Sequence, residues 1–580
     1  MGSSVELADD VAWIVLGRTD DGVAAALLDA EGAETERHPI AASALSAWVA
    51  ERERTAAPRW VWHDAPQWYP ALLAAGVRVA RCHDLRLCHA ILRASALVED
   101  DAPVREPSGW DAAPHVATPE QAATLFDLDE GSTPAGPPAD LDEAVAEFAR
   151  QRSAVVGSSD ASRLRLLVAA ESAGALVAEE LRAAGLPWDE SEHDRILVET
   201  LGERPVGGGQ PSRLAAAAAR VRDALGDPAA SLDSQPKLLR SLHRVGVLVE
   251  STSRWELAEQ QHPVIEPLLE YKKLSRLLSA NGWAWLEEWV SDGRFRPVYI
   301  PGGVVTGRWA SSGGGALQLP RQLREAVRAD PGWKLVVADV AQLEPRVLAA
   351  MSSDTVLAAA ARGRDLYAGI VDSGAVATRQ EAKIALLGAM YGATTGESGR
   401  LVPRLRRAYP RAMGLVDDAA RIGEDGGDVS TWLGRTSPPP SEVWAGAQSR
   451  ATEAEASGAD ETRARRWARD RGRFTRNFVV QGTAAEWALA WLADLRARLY
   501  ELPPLPEEHA SGRSGPVFGR RPHLAFFLHD EVIVHAPESL AETAAQAVTD
   551  AAAAAGRLLF GDFPVDFRLD VHITDTASKT

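Results

Sequence analysis

Three acidic residues stand where the local pattern would hold their carboxylates rigidly. Asp339 follows a short apolar run that predicts a buried strand. Asp530 and Glu531 lie at the polar tip between two apolar runs, a pattern typical of a β-hairpin. Buried carboxylates are costly unless they are paired or bind a metal. We therefore expect Asp339 and Asp530 to meet on one sheet and to hold two Mg²⁺ ions about 3.5–4 Å apart, as in phosphoryl-transfer sites.

The first of these stretches also has a simpler interpretation. Gln342, Glu344 and Arg346 follow Asp339, and the chain then becomes apolar at helical spacing. An ordinary strand-to-helix turn with an acidic cap would give the same pattern. The second acidic stretch favours the metal site, because Mg²⁺ prefers a few carboxylates completed by water and substrate phosphates.

A third stretch, residues 379–392, predicts a helix with one chemically distinct face. Its side chains at every fourth position are Arg379, Lys383, Leu387 and Tyr391. Two cations and an aromatic ring on one face suit a nucleoside triphosphate whose base stacks at the far end. A solvated basic face is the alternative, but the apolar residues near the end of this stretch make a poor surface helix.

Together the three stretches resemble motifs A, B and C of family A DNA polymerases, the DNA polymerase I type. The family motif that corresponds to residues 339–346 is Asp-Tyr-Ser-Gln-Ile-Glu-Leu-Arg. The motifs that correspond to residues 379–392 and 529–531 are Arg-x3-Lys-x3-Phe-Gly-x2-Tyr-Gly and His-Asp-Glu. Further matches lie at 306–312 with 317–320, and at 477–485. Five motifs in the family's order are more specific than any one alone. The resemblance is strong over residues 300–580, weaker over 160–300 and faint before that.

The resemblance implies a multidomain α/β and α fold. This fold is a right-hand polymerase, with an antiparallel palm sheet and helical fingers and thumb, preceded by a small α/β exonuclease-like domain and lacking a 5′-nuclease domain. The predicted parts are residues 1–97 (degenerate 3′–5′ exonuclease-like α/β domain), 98–140 (linker), 141–300 (thumb and connecting helices), 301–352 (palm, motif A), 353–475 (fingers, motif B) and 476–580 (palm, motif C). Asp84 is the one acid left that matches the exonuclease motifs, and a helix cap is its more expected role.

The resemblance also assigns roles to single residues. The metal ligands are Asp339, Asp530 and the backbone carbonyl of Val340, with Mn²⁺ able to replace Mg²⁺. Lys383 binds phosphate and acts in catalysis, and Glu531 supports the site. The nucleotide-binding residues are Arg379, Lys383, Tyr391, Glu344, Gln342, Tyr367 and Leu387. The DNA-binding residues are Arg308, Thr306, Asn477, Gln481, His529 and Arg473.

Three of these positions depart from the family pattern, and the first is Val340, which stands where the family has Tyr. Leu387 stands where an aromatic ring usually meets the nucleotide sugar, and Tyr367 stands where a histidine usually meets the phosphates.

Glu344 is expected to crowd the 2′ side of the sugar and to exclude a ribose hydroxyl. The alternative is that Glu344 pairs with Arg346 or caps the following helix.

Composition limits the classes of partner. The net charge is −19, so binding of primer-template DNA requires local basic clusters. Arginines concentrate at 400–411 and 463–473, where they could contact DNA or pair with nearby acids such as Glu461 and Asp470. Two cysteines cannot form a disulfide framework, and no signal peptide or membrane-spanning run is visible. We expect a cytoplasmic, monomeric enzyme that uses dNTPs and does not bind membranes.

Two other functions remain open. A single-subunit RNA polymerase shares motifs A to C in outline, although residues 342–344 argue against it. A DNA-binding protein without catalysis could also use a polymerase fold, although the intact Asp339, Lys383 and Asp530 argue against that.

Overall fold

The computed structural model describes residues 11–20, 22–111, 136–315, 319–393, 396–453 and 456–578. Most of the predicted linker 98–140, and residues 317–318 of the motif at 317–320, lie outside these ranges. The chain forms two compact units. The first comprises Met1–Gly185, Val298–Gly313 and Pro331–Thr574, and the second comprises Leu186–Pro297, Gly314–Asp330 and Asp575–Thr580. The thumb boundary predicted at residue 141 has no counterpart in this division, which falls after Gly185.

The N-terminal part of the first unit is a five-stranded mixed sheet with helices, which agrees with the expected small α/β domain. The strands are β1 (Trp13–Thr19), β2 (Gly22–Leu28), β3 (Glu34–Ile40), β4 (Arg59–Trp62) and β5 (Arg81–Asp84), in the order β3-β2-β1-β4-β5. The helices are α1 (Leu45–Thr55), α2 (Ala65–Ala74) and α3 (Leu85–Ala94). Asp84 is buried and accepts hydrogen bonds from the backbone N–H groups of Leu87 and Ala65, at 3.0 and 2.7 Å. The expectation that Asp84 caps a helix is therefore confirmed.

Two long helices, α4 (Leu141–Gly157) and α5 (Ala161–Ala184), complete this part of the first unit. Glu180 of α5 is buried and accepts hydrogen bonds from the Tyr69 hydroxyl at 2.6 Å and from Nε of Arg496 at 3.0 Å. Nε of Arg78 lies 3.3 Å from the same carboxylate. Buried ion pairs of this kind hold the elements that supply them in one geometry, because breaking one leaves a charge without its partner.

The second unit is mostly helical, with a short three-stranded sheet. Its elements are β6 (Leu186–Pro187), α6 (Glu190–Leu201), α7 (Ser212–Leu225), α8 (Gln235–Arg244), α9 (Arg254–Ala258), α10 (Ile265–Asn281), α11 (Trp283–Trp289), β7 (Val290–Ser291) and β8 (Arg294–Phe295). An aromatic cluster lies at its centre, where the rings of Trp285 and Phe295 are 4.9 Å apart. This unit contains most of the region predicted as the thumb.

The rest of the first unit contains the predicted palm and fingers. A small two-stranded sheet is made by β9 (Val298–Ile300) and β10 (Ala310–Gly313), and the next strand is β11 (Trp333–Val340). Helices then follow: α12 (Leu343–Met351), α13 (Thr355–Ala361), α14 (Leu366–Asp372), α15 (Arg379–Tyr391), α16 (Gly396–Ala408), α17 (Pro410–Glu424), α18 (Glu442–Ala451), α19 (Gly458–Glu501) and α20 (Gly515–Phe518). The expectation that residues 353–475 are largely helical is confirmed.

The chain closes with the elements that complete an antiparallel sheet around β11. They are β12 (His523–Leu528), β13 (Glu531–Pro537), α21 (Ala541–Phe560) and β14 (Leu569–Thr574), and the strand order is β12-β13-β11-β14. The predicted hairpin is therefore present, with His529 and Asp530 as its loop. The predicted fold class is confirmed. Across the described residues, no helix is both long enough and apolar enough to cross a membrane.

Candidate active site

The sheet register brings the predicted acidic residues together. Asp339, near the end of β11, lies directly opposite Glu531, the first residue of β13. The backbone N–H of Val340 donates to the backbone carbonyl of Asp530 at 2.9 Å, which fixes the hairpin tip beside the end of β11. Opposite residues on adjacent antiparallel strands share one face of the sheet. Asp570 of β14 is the other register partner of Asp339, and the sequence analysis did not include it.

The electrostatics of this cluster favour a cation. Burial raises the pKa of Asp530 to about 6, and the neighbouring Asp339 carboxylate contributes to the rise, while Arg308 opposes it. Among the described residues there is no group of three or more His, Cys, Asp or Glu side chains that could hold a metal by itself. A donor set of two aspartates fits Mg²⁺, which completes its coordination shell with water and substrate phosphates. The carboxylate oxygens of the predicted ligands Asp339 and Asp530 are therefore of the type that Mg²⁺ prefers.

Glu344 is fixed by two partners at the start of α12. Its carboxylate forms an ion pair with Arg308 and accepts a hydrogen bond from the Tyr391 hydroxyl at 2.5 Å. Burial and the Glu344 carboxylate together raise the pKa of Tyr391, so its hydroxyl stays protonated and donates. The Glu344 side chain is 11% exposed. Three predicted site residues from separate motifs thus form one rigid group.

Arg346 does not pair with Glu344, so that part of the alternative is wrong, and the N-cap residue of α12 is Gln342, not Glu344. The Arg346 side chain is fully buried, and its guanidinium pairs with Asp566 at 2.7 Å and donates to the carbonyl of Ala341 at 2.8 Å. It also donates to the carbonyl of Arg364 at 2.9 Å. Arg346 therefore anchors the turn between β11 and α12 instead of contacting the cavity.

A second group holds the start of α15, and it includes an acid that the sequence analysis passed over. Asp365 pairs with Arg379, the first residue of α15, at 2.8 Å. The side-chain amide of Gln342 donates to the same carboxylate at 3.1 Å and its oxygen accepts from the backbone of Leu366. Burial alone would raise the pKa of Asp365, but the hydrogen bond from Arg379 lowers it below its usual value. The Arg379 guanidinium carbon also lies 5.5 Å from the centre of the Tyr367 ring.

These groups surround a cavity of ≈ 290 Å³. The predicted site residues that line it are Arg308, Gln342, Glu344, Tyr367, Leu387, Tyr391, His529 and Asp530. Gln342 and His529 have positive φ angles, of 53° and 57°. Such backbone costs free energy for a residue other than glycine and is concentrated at functional sites. The strain at both ends of the cavity supports a functional role for it.

The remaining predicted residues lie around this cavity or farther out. The Thr306 hydroxyl donates to Oε1 of Gln481 at 3.0 Å, which joins two of the predicted DNA-binding residues. Asn477 lies on α19 one turn before Gln481, hence on the same face. Lys383 is exposed on α15. It does not belong to the described residues that line the cavity.

Five of the six arginines within residues 463–473 lie within ion-pair distance of an acid, which agrees with the interpretation that they pair with nearby acids. Arg465 pairs with Glu461 at 3.1 Å, and Arg471 pairs with Asp428 at 2.8 Å. Arg473 pairs with Asp470 and lies against Gly392 at the end of α15. The pairs of Arg465 and Arg473 are exposed, and exposed ion pairs contribute only about 0–1 kcal/mol each to stability.

Comparison with known proteins identifies the family of this chain. The sequence profile of DNA polymerase family A matches residues 241–577, which is more than half of the chain. The chain belongs to DNA polymerase family A. The matched region contains all of the motifs described above.

Two relatives show the extent of this likeness to family A. DNA polymerase I of Chloroflexus aurantiacus is 29% identical over 323 residues, which are 51% of this chain and 30% of that protein. The thermostable DNA polymerase I of Thermus aquaticus is 25% identical over 467 residues, 74% of this chain and 47% of that protein. The chain thus spans less than half of the length of either relative.

A solved structure supports the family A fold. The POL domain of Pol1 from M. smegmatis, in complex with DNA primer-template and dNTP, aligns with 97% of this chain and 95% of that one. The TM-score is 0.62 and the sequence identity is 17%. The likeness therefore extends over nearly the whole chain at the level of fold.

Proposed function

We propose that this protein is a template-directed DNA polymerase that adds dNTPs to a primer 3′-hydroxyl. The observation that carries the proposal is the meeting of Asp339 and Asp530 beside a cavity fixed by Glu344, Arg308 and Tyr391. Phosphoryl transfer needs two things from a protein: positioned reactants and stabilisation of charge at the phosphates. Membership of family A supports both the reaction and the substrates.

The site residues divide this work. Asp339, Asp530 and the backbone carbonyl of Val340 would hold two Mg²⁺ ions, or Mn²⁺ in their place, which activate the primer hydroxyl and neutralise phosphate charge when bound. Family A polymerases generally use divalent metal ions, and Glu531, only 3% exposed beside Asp339, supports the site.

The nucleotide binds along α15. Arg379 and Lys383 bind the β- and γ-phosphates, and Lys383 also protonates the leaving pyrophosphate. Tyr391 packs at the base end, while Leu387 and Tyr367 line the cavity between the phosphates and the base. Arg379 must exchange its carboxylate partner Asp365 for a phosphate when the nucleotide arrives.

DNA contacts surround the same cavity. Arg308 and His529 line it, and the Thr306–Gln481 hydrogen bond positions the side chains next to Asn477. Arg473, on α19 and against Gly392 at the end of α15, contacts the template after exchanging its exposed pairing with Asp470 for a phosphate. The second unit grips the product duplex as the thumb, and the protein acts as a monomer.

The N-terminal α/β domain is proposed to be an exonuclease-like domain without exonuclease activity. Asp84, the acid that best matched the exonuclease motifs, is buried and engaged as a helix cap. The chemistry needs several carboxylates to hold two metals. Asp64, whose charge adds to the effect of burial in raising the pKa of Asp84, forms an ion pair with Arg86 at 3.0 Å.

Primer extension tests the polymerase proposal. The protein, a primer-template duplex, dNTPs and Mg²⁺ should give extended primer, and omission of the metal or addition of EDTA should stop extension. Asp530→Asn should remove activity, whereas Asp550→Asn, at an exposed acid on α21, should not. Extension with rNTPs alone would favour an RNA polymerase. DNA binding without extension under any of these conditions would favour a DNA-binding protein without catalysis.

A further inference from the structure

A second cavity, of ≈ 390 Å³, lies in the N-terminal part of the first unit. It is placed between the first residue of β1, the first residue of β4 and the helices α4 and α5. The residues that matter for its chemistry are Trp13, Arg59, His83, Phe148, Arg152 and Arg165. This cavity shares no lining residue with the cavity of the candidate active site.

One wall of this cavity is aromatic and electrically neutral. The rings of Trp13 and Phe148 lie 4.9 Å apart, and the His83 ring lies 5.3 Å from Phe148. Nε2 of His83 and Oε1 of Gln151 are 2.7 Å apart, so the neutral imidazole donates to the amide oxygen. Burial lowers the pKa of His83 to about 4, and so this ring adds no charge near neutral pH.

The positive charge comes from arginines stacked on that wall. The guanidinium carbons of Arg59 and Arg152 lie 5.5 and 5.6 Å from the centre of the Trp13 ring. Nη2 of Arg152 donates to the carbonyl of Ala30 at 3.1 Å, but its Nη1 is buried and has no hydrogen-bond partner among the described residues. A buried donor without a partner is rare in proteins, and it leaves part of the hydrogen-bonding capacity of this guanidinium unused.

Other buried arginines of the first unit have carboxylate partners, unlike the arginines that the structure describes at this cavity. Buried or nearly buried guanidiniums elsewhere pair with carboxylates, as in the pairs Arg86–Asp64, Arg435–Glu171 and Arg496–Glu180. Of the described residues that line the second cavity, three are arginine and none is acidic. In a chain with a net charge of −19, such a local excess of positive charge suits a bound anion.

We propose that this cavity binds a nucleoside monophosphate, either free or as the terminal nucleotide of a DNA strand. The phosphate would contact Arg59 and Arg152, and the base would pack against the aromatic and apolar wall. The volume lies within the roughly 300–1,000 Å³ of small-ligand pockets, and bare phosphate would leave the apolar wall unused. The proposal does not depend on the polymerase function, because it uses a different cavity.

The cavity is also separate from Asp84, the one acid that matches the exonuclease motifs. Asp84 is not one of the described residues that line the cavity, and its carboxylate accepts hydrogen bonds from the backbone of Ala65 and Leu87. His83 and Asp84 are successive residues of β5, and successive side chains of a strand point to opposite faces of the sheet.

Isothermal titration of the full-length protein with dAMP tests the proposal. Arg152→Gln and Arg59→Gln should each weaken dAMP binding about tenfold or more, as expected for loss of a charge-assisted hydrogen bond. Arg54→Gln is the matched control, since Arg54 is an exposed arginine of the same domain that pairs with Glu51 on α1. Thermal melting checks that each variant is folded, and primer extension should be unchanged in all three.

Further probes define the ligand. Deoxyadenosine and inorganic phosphate should each bind more weakly than dAMP, because each lacks one of the two recognised parts. A 5′-phosphorylated tetranucleotide that competes with dAMP would identify a strand end as the source, and failure to compete would identify the free nucleotide. Undetectable dAMP binding at millimolar concentration, or binding unaffected by both arginine substitutions, would overturn the proposal. Phosphate that binds as tightly as dAMP would also overturn it, leaving only an anion site.

Discussion

Replacing Glu344 with alanine is expected to let the protein accept ribonucleotides. The Glu344 carboxylate is held by Arg308 on one side and by the Tyr391 hydroxyl on the other. A side chain fixed from two sides cannot move away from an added 2′-hydroxyl. Steric rejection of one hydroxyl is worth on the order of 10²-fold, so Glu344→Ala should lower the preference for dNTPs by about that factor.

The structure also predicts an intermediate variant. Tyr391→Phe keeps the aromatic ring but removes the hydroxyl that donates to Glu344 at 2.5 Å. A hydrogen bond to a charged group contributes about 1.5–3 kcal/mol, but the ion pair with Arg308 would still hold the carboxylate. The preference for dNTPs should therefore fall by roughly tenfold, less than in Glu344→Ala.

Single-nucleotide insertion kinetics with dCTP and CTP measure this preference as the ratio of the two kcat/KM values. Glu397→Ala serves as the matched control, because Glu397 is an exposed acid at the start of the neighbouring helix α16. dCTP insertion should fall less in Glu344→Ala than in Asp339→Ala. If Glu344→Ala keeps the wild-type ratio, or if the wild-type protein uses both nucleotides equally, then Glu344 does not select the sugar.

Three further predictions concern other parts of the first unit. Lys383→Arg should bind nucleotide normally but lose about 10²-fold in kcat, because an arginine does not give up a proton. A near-normal kcat in this variant would show that Lys383 only binds phosphate. A 3′-mismatched primer incubated with Mg²⁺ and no dNTP should stay intact, and metal-dependent shortening that survives Asp339→Ala would contradict the proposed loss of exonuclease activity. Burial raises the pKa of Glu179 from 4.5 to about 7, so the folded state binds this proton more tightly than the unfolded state. The free energy of unfolding should therefore fall as the pH rises from about 4.5 to 7. Glu179→Gln should remove that loss, with a gain of at most about 3 kcal/mol at pH 8 and a much smaller one at pH 5 in urea unfolding. Equal gains at both pH values would refute the assignment.

The sequence predicted those parts of the site that depend on short-range pattern. Apolar runs with turn residues predicted β11 and the hairpin, and four-residue spacing predicted α15 from Arg379 to Tyr391. The meeting of Asp339 with Asp530 was expected from the cost of burying unpaired carboxylates, and the family resemblance supported it, since no local pattern specifies which distant strands pair. The sheet register then added Asp570, which no motif had indicated.

Partners of charged residues could not be predicted in the same way. Glu344 had Arg346 two residues away, but its partners are Arg308 and Tyr391, from other motifs. Arg346 instead pairs with Asp566, more than two hundred residues later. Ion pairing depends on tertiary packing, and neighbours in sequence on a helix face each other only at spacings of three or four. The second cavity could not be predicted for the same reason, because its residues come from three strands, one turn and two helices.

The buried carboxylate of Glu180 has a consequence for how such a protein can change over time. Catalytic acids of an N-terminal domain can be replaced one by one once selection for their reaction ends. The strand-and-helix framework cannot be discarded as easily, because Tyr69 and Arg78 belong to that domain and Arg496 belongs to α19. Removing the domain would take away Tyr69 and Arg78, two of the partners of the buried Glu180 carboxylate, and breaking a buried ion pair costs about 3–5 kcal/mol. A domain in this position is inherited as part of the architecture, and its surface and cavities are then open to selection for new ligands.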